Sequence, residues 1–212
     1  MGWASTEKNA LVDTLRRTDP TAPTLCAGWD ARRLVAHLVQ REQDLRGGVV
    51  DAVQRAEPGH EPRLGRLADP AATPEGYAHL IDRFVAGPPR WSPFRWASEQ
   101  TNLVEYVIHH EDIRRADPAA APRDVPLSQA RGVWRQVPLL ARLRMRRSPV
   151  AVTLRLPSGE QKVVRSGDDP AVLTGEPVEL ALYVSGRRTV AKVQVSGPPA
   201  SVDAFQAWIA TT

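Results

Sequence analysis

Three residues of the chain have the types and spacing that suit a divalent metal ion. Glu105 and His109 stand four positions apart in the run Asn102–Asp112, and His37 lies far upstream in the run Ala31–Val39. If both runs are helical, Glu105 and His109 project from one face, and His37 on another helix can complete a three-ligand site. Two imidazoles and one carboxylate suit a borderline cation such as zinc, and three protein ligands leave a coordination position open for chemistry.

Each of these residues also has an interpretation without a metal. His37 lies close to an apolar stripe, where a histidine bonded to a backbone carbonyl would satisfy a buried polar group. Glu105 and His109 could be an ordinary surface pair one helical turn apart. The metal hypothesis gains weight from the combination, because a carboxylate in a segment that otherwise looks buried needs a strong partner such as a metal or a cation. Spacing alone leaves these interpretations open.

Two polar neighbours of the pair have different expected roles. His110 points about a hundred degrees away from His109 around a helix, so we predict packing or an outer contact for it. Asp112 lies within one turn of the pair and can orient a ligand imidazole through its second ring N–H. A salt bridge from Asp112 to Arg115 or Arg33 is the alternative.

The remaining reactive residue types have weaker signals. We expect Glu111 to point outward into solvent, and His60 and His79 to take no part as ligands. Cys26 could be a reactive thiol near a helix N-terminus, but a small buried side chain beneath Trp29 is the interpretation we favour.

Apolar periodicity and start and stop signals predict the helices that position these residues. They cover Thr6–Arg17, a segment beginning after the N-cap Asp30, about Glu75–Val85, about Ser92–Ala116, and Ser128 to about Arg144 with Pro138 inside it. The run Glu57–Pro74 is rich in Pro, Gly, Ala and charge, which predicts a long loop.

After Ser148 the pattern changes to the alternation typical of strands. Strands are predicted over Val150–Leu156, Gln161–Arg165 and Thr189–Val195, and helices over Glu176–Val184 and Ser201–Ala210. The sequence therefore predicts a mainly α protein, with an antiparallel helical bundle over residues 1–147 and a small α+β domain over residues 148–212.

Bulk composition restricts the class of function. Of the 212 residues, 42% are hydrophobic and 25% are charged, as in an ordinary globular protein. The pI is 9.7 but the net charge is only +4, and the basic patch Arg142–Arg147 has no interleaved aromatic residues, so we expect no nucleic-acid partner. No membrane-spanning run or signal peptide is evident, so we expect a cytoplasmic protein without a membrane partner. The single Cys26 excludes an intramolecular disulfide.

Two runs resemble a known family. Cys26-Ala-Gly-Trp-Asp-Ala-Arg-Arg-Leu-Val-Ala-His37 resembles the second-helix signature of the mycothiol-dependent maleylpyruvate isomerase N-terminal family, within the broader DinB/YfiT-like metalloproteins. Glu105-Tyr-Val-Ile-His109, with the following His-Glu-Asp-Ile-Arg-Arg115, resembles the second metal motif of that family. The resemblance covers the first two-thirds of the chain. It implies a DinB-like antiparallel four-helix bundle, here with an extra helix, that holds one divalent metal, usually zinc, through His37, Glu105 and His109.

The segment Leu180–Pro198 is similar to the small C-terminal domain of these proteins. Arg187 matches a Gly-Arg position there, which implies contact with an anionic substrate or cofactor. The alternative is a helix-end arginine bonded to its own carbonyls.

The resemblance implies a metal-dependent thiol S-transferase or isomerase that acts on a small electrophilic substrate, with mycothiol as the candidate cosubstrate. Asp112 and Arg187 are the candidate catalytic residues, and the protein is expected to be a monomer or homodimer. The alternatives are a non-catalytic structural or regulatory metal-binding module and a metal-dependent hydrolase that uses Asp112 or Glu111 as general base.

Overall fold

The computed structural model describes residues 2–43, 57–89 and 99–211. Its helices are α1 (Trp3–Leu15), α2 (Ala31–Gln43), α3 (Pro62–Ala68), α4 (Pro74–Ala86), α5 (Glu99–Arg114), α6 (Leu127–Arg144), α7 (Pro177–Val184) and α8 (Pro199–Ile209). Its strands are β1 (Val152–Arg155), β2 (Gln161–Arg165), β3 (Ala171–Thr174) and β4 (Gln194–Ser196). Among the described residues, no helix has the length and apolar character needed to cross a membrane.

The first compact unit spans Met1–Pro122 and contains a four-helix bundle of α1, α2, α4 and α5. α1 packs on α5, and α2 packs on α4. Their apolar stripes meet in a core from which water is excluded, and this burial is the main stabilising contribution to the bundle. Its fully buried side chains include Leu11, Leu15, Leu34, Leu38, Phe84 and Val107.

Helix α2 begins where the sequence predicts. Asp30 Oδ1 accepts a hydrogen bond from the backbone N–H of Arg33 at 3.0 Å, which satisfies one of the unpaired donors at the helix start. Leu34 and Leu38 then face the core, and this orientation fixes the direction in which His37 leaves the helix.

The predicted loop Glu57–Pro74 is wrong, because it contains α3 and a 3-10 turn over Asp69–Ala72. α3 starts with Pro62 in its first turn and packs against α2, with Leu64 and Ala68 buried. The Pro and Gly content gives this segment a low intrinsic helix propensity, which is why the sequence predicted a loop. The helix is stabilised instead by its packing against α2. The predicted start of the fourth helix near Ser92 lies outside the described residues.

The loop before α2 lies against the segment before α3. Gly28 has a φ of +73°, and a Cβ at this position would lie 2.5 Å from Pro58 O. A Cβ at Gly59 would lie 2.6 Å from Gly28 O. The Trp29 indole Nε1–H donates to Glu61 Oε1 at 2.9 Å. This close contact between two backbones fixes the chain that leads into α2.

The second compact unit spans Arg123–Thr212 and contains a four-stranded sheet in the order β2-β1-β3-β4. β1 and β3 are parallel, whereas the outer pairs are antiparallel. The sequence did not predict β3, since its run Ala171–Leu173 is buried throughout and lacks alternation. The predicted strand Thr189–Val195 is correct only at its end, where β4 begins at Gln194.

The predicted fold class is confirmed, with a mainly helical chain and a small C-terminal sheet. The compact units divide the chain after Pro122, so that α6 belongs to the second unit, where it packs on α7 and β2. The domain boundary at residues 147 and 148 follows the change in sequence pattern and stays a prediction.

Candidate metal centre

Helices α2 and α5 bring the three predicted ligands together. His37 Nε2 lies 3.4 Å from Glu105 Oε1, and His109 Nε2 lies 3.2 Å from the same oxygen. The three candidate ligand atoms are within 4.8 Å of one another. Bonds of about 2.0–2.2 Å from one zinc ion can span such a group.

The group is open on one side. The side chains of His37 and Glu105 retain 29% and 30% exposure, whereas His109 retains 8%. A cation held here would contact the buried His109 on its inner side. A small molecule would reach it past the partly exposed His37 and Glu105.

Asp112 contacts His109, the ligand residue for which the sequence predicts a supporting carboxylate. Its Oδ2 atom lies 2.9 Å from His109 Nδ1, and its side chain is fully buried. A carboxylate accepts, so Nδ1 donates to Asp112, and Nε2 is the ring nitrogen that faces the candidate metal position. Arg115 and Arg33, the alternative partners that the sequence offers, pair with Glu111 and Glu61 respectively.

Cys26 contacts the same carboxylate. Its Sγ donates to Asp112 Oδ2 at 3.1 Å. The neighbouring backbone N–H of Leu25 donates to the backbone carbonyl oxygen of Asp112 at 3.0 Å. Cys26 is half-buried, and with His109 and Asp112 it forms a second group of ligand-type atoms. The sequence predicted only a small buried side chain at Cys26. It did not predict this hydrogen bond, because no local pattern indicates a contact with Asp112.

The predicted solvent exposure of Glu111 is wrong. Its side chain is fully buried and pairs with Arg114 Nη1 at 3.1 Å and with Arg115 Nε. The reason is that α5 is covered on nearly all sides between Leu103 and Ile113, so a helix position opposite the ligands does not reach solvent.

His110 lies away from the ligand group, as its position on the helix predicts. Its Nδ1 is 2.8 Å from Glu7 Oε1 and its Nε2 is 2.9 Å from Thr14 Oγ1, so it joins α5 to α1. His60 and His79 are exposed side chains outside this group.

Arg41 is a part of the site that the sequence did not single out. It lies one turn after His37 on α2, and its Nε is 3.5 Å from Glu105 Oε1. Its Nη1 also donates to Asn102 Oδ1 at 3.2 Å. Its spacing of four residues from His37 was the one feature of the sequence that could have indicated this position.

Trp29 also lies beside the ligand group. Its ring packs against the His37 ring, with centroids 5.1 Å apart.

The ligand residues have perturbed pKa values. Burial lowers the pKa of His37, which favours the neutral imidazole. Burial acts to raise the pKa of Glu105, but hydrogen bonds with His109 and His37 hold it well below its ordinary value. Burial acts to lower the pKa of His109, but its contacts with Asp112, Cys26 and Glu105 raise it well above. The metal-free group therefore pairs an ionised Glu105 with a protonated His109.

Arg187 lies in the second unit, just after α7. Its Nη1 donates to Ser185 O at 2.6 Å. This geometry matches the alternative of an arginine bonded to carbonyls near its own helix end, and a catalytic role for Arg187 stays a prediction.

The fold and the ligand geometry agree with the class of protein that the sequence comparison defines. Residues 4–148 match the family model of the mycothiol maleylpyruvate isomerase N-terminal domain. Because this match covers more than half of the chain, the protein belongs to that family.

Solved structures show a similar fold. The chain resembles the crystal structures of the mycothiol-dependent maleylpyruvate isomerase and of its histidine-to-alanine mutant, with TM-scores of 0.56 and 0.57. Each is 15% identical in sequence, and each comparison covers 92% of this chain and 90% of the other. A search of curated protein sequences found no significant match.

Proposed function

We propose that the protein is a divalent-metal-dependent enzyme that transfers a low-molecular-weight thiol to a small electrophilic substrate or isomerises that substrate. The observation that carries this proposal is the convergence of His37 Nε2 and His109 Nε2 on Glu105 Oε1. Membership of a family named for mycothiol supports this compound as the thiol, and the similar solved isomerase supports isomerisation as the reaction.

The side chains present fit a metal such as zinc. Two imidazole nitrogens and a carboxylate oxygen are a common donor set, and among the described residues no fourth ligand-type side chain joins this group. His37, Glu105 and His109 would hold the metal. A bound divalent cation stabilises a coordinated thiol as its thiolate at neutral pH.

Other side chains prepare the site for an anion. Arg41 offsets the charge of Glu105, so that the positive charge of a bound metal would remain largely uncompensated by its ligands. Such a field attracts thiolates and carboxylates. Asp112 fixes the His109 ring, and Trp29 limits the rotation of His37.

The hydrolase alternative is less well supported. It requires a general base beside the metal, and the candidates were Asp112 and Glu111. Both are fully buried and engaged, Asp112 with His109 and Cys26 and Glu111 with two arginines. A carboxylate held in this way is poorly placed to accept a proton from water.

Metal content tests the ligand assignment. Elemental analysis of the purified protein should find about one divalent metal per chain, and His37→Ala and Glu105→Gln should each remove most of it. His79→Ala is the matched control, since it removes an exposed histidine of the same unit and should leave the metal in place. Equal retention in all variants would reject these ligands.

Metal removal separates an enzyme from a structural module. For the enzyme we expect a modest fall in melting temperature and loss of mycothiol consumption, both restored by zinc. After cobalt substitution, addition of thiol should produce a thiolate-to-cobalt absorption band. A large fall in melting temperature without any thiol-dependent activity would instead support the structural or regulatory alternative.

A further inference from the structure

The C-terminal unit contains a cationic cavity, by which we mean the space lined by Leu143, Arg144, Arg146, Arg147 and Trp208. Its volume is about 320 Å³, and it lies where the end of α6 meets α8. It shares no residue with the candidate metal centre, so it is a separate feature of the molecule.

The arginines of the cationic cavity differ from others in the protein. Arg144, Arg146 and Arg147 are exposed, and none has an ion-pair partner within the part of the chain that the structure describes. Arg114 and Arg115, by contrast, both pair with Glu111. The helix dipole favours a cation in the last turn of α6, which accounts for Arg144 alone. Three like charges around one cavity repel each other, and a bound anion would offset that repulsion.

One wall of the cationic cavity is apolar. Leu143 is 61% exposed, as other leucines of the same helix are, and its surface is available for contact. Trp208 is half-buried and packs on Phe205, with ring centroids 6.0 Å apart. This packing restrains the indole, so the cavity combines a flat aromatic surface with exposed guanidinium groups.

We propose that the cationic cavity binds a small organic anion with two negative charges and a flat or apolar body. Guanidinium groups bind carboxylates and phosphates through paired N–H donors, and this geometry is matched by two acid groups on one ligand. The body of the ligand lies against Trp208 and Leu143.

Isothermal titration calorimetry on the full chain tests the proposal with phthalate, an aromatic dianion, and with succinate, a dianion without a ring. The double variant Arg146→Gln/Arg147→Gln should weaken phthalate binding by about tenfold or more, as expected for loss of charge-assisted hydrogen bonds. The matched control Arg131→Gln/Arg135→Gln removes the same charge from exposed positions of α6 away from the cavity. It should leave the affinity for phthalate nearly unchanged.

Further arms test the apolar wall and the nature of the ligand. Trp208→Leu should reduce the preference for phthalate over succinate, and neutral benzyl alcohol should not bind. Absence of binding at millimolar phthalate, or equal weakening in both double variants, would overturn the proposal. Tighter binding of a short DNA duplex that also depends on Arg146 and Arg147 would replace it with a nucleic-acid surface.

Discussion

At the scale of single residues, the candidate site depends on Asp112, a buried carboxylate that contacts His109 and is not one of the three predicted ligands. Asp112 accepts hydrogen bonds from His109 and Cys26, and its side chain is fully buried. A carboxylate buried in this way needs hydrogen-bond donors around it to offset its loss of contact with water. We therefore propose that Asp112 holds the imidazole of His109 in one orientation.

Replacement of Asp112 tests this role. Asp112→Asn keeps the shape but removes the charge that fixes the His109 tautomer, so we expect metal affinity to fall by about 10–100-fold. Competition with a chromogenic chelator measures this affinity. Asp13→Asn, at an exposed position of α1, is the control and should not alter it. Unchanged affinity in Asp112→Asn would show that the orientation of His109 does not depend on this charge.

Proton release on metal binding tests the charge state of the ligands. The raised pKa of His109 favours its protonated form in the metal-free protein, and a metal ligand must lose that proton. His37 and Glu105, whose pKa values are lowered, have no proton to release at neutral pH. Binding should therefore release about one proton, and affinity should rise with pH until the pKa of His109 is passed.

Calorimetry in buffers of different ionisation enthalpy measures that release, and a value of zero would contradict the prediction. The same raised pKa has a consequence for the metal-free protein. The stability that His109 contributes is fully present below its unfolded-state pKa and is lost as the pH rises through its folded-state pKa.

At the scale of helices, a second buried cluster sets the distance between α2 and α5. Lys8 Nζ lies 2.9 Å from Glu42 Oε2, and Tyr106 OH donates to Glu42 Oε1 at 2.5 Å. Lys8 also lies over the Phe84 ring, 4.2 Å from its centroid. The four residues come from α1, α2, α4 and α5, and Tyr106 adjoins Glu105. The cluster therefore joins α2 and α5, the two helices that carry the candidate ligands.

Breaking this cluster should be costly. Glu42→Ala leaves Lys8 and Tyr106 without their acceptor in a buried position, and we expect a loss of about 3–5 kcal/mol in the free energy of unfolding. Urea denaturation measures it, with Glu75→Ala at an exposed position as control. The triple variant Lys8→Leu/Glu42→Leu/Tyr106→Phe, which also removes the two donors, should recover part of the loss. A single variant as stable as the parent would show that the cluster contributes little.

The sequence predicts an element well when its signal is local. The N-cap Asp30 and the apolar stripe locate α2, and the spacing of four residues places Glu105 and His109 on one face. Helix α3 and strand β3 were missed because they are short and owe their stability to packing against other elements. The burial of Glu111 was missed for the same reason, since it depends on what covers α5.

The candidate site likewise has a part that the sequence predicts and a part that it does not. His37, Glu105 and His109 could be predicted because each helix presents them through its own periodicity. The contacts of Cys26 with Asp112 and of Arg41 with Glu105 each join segments that are distant in sequence. No pattern within one segment encodes such a contact.

At the scale of the whole molecule, the candidate ligands all belong to the first compact unit, whereas Arg187 belongs to the second. We expect Arg187→Ala to leave the metal content unchanged. It should lower the free energy of unfolding by about 1 kcal/mol, because its hydrogen bond to Ser185 O is lost. Elemental analysis and urea denaturation test both statements. Loss of metal in this variant would contradict the assignment of the ligands to the first unit.

The contact between Gly28 and Gly59 has a consequence for how such sequences diverge. A side chain at either position would collide with the other backbone, and both glycines have positive φ angles that L-residues rarely adopt. We therefore expect a single mutation at either position to move the loop that carries Trp29, which flanks His37. Replacing one glycine does not remove the need for the other. We therefore expect related sequences to keep both glycines, or to replace both together with the loops that carry them.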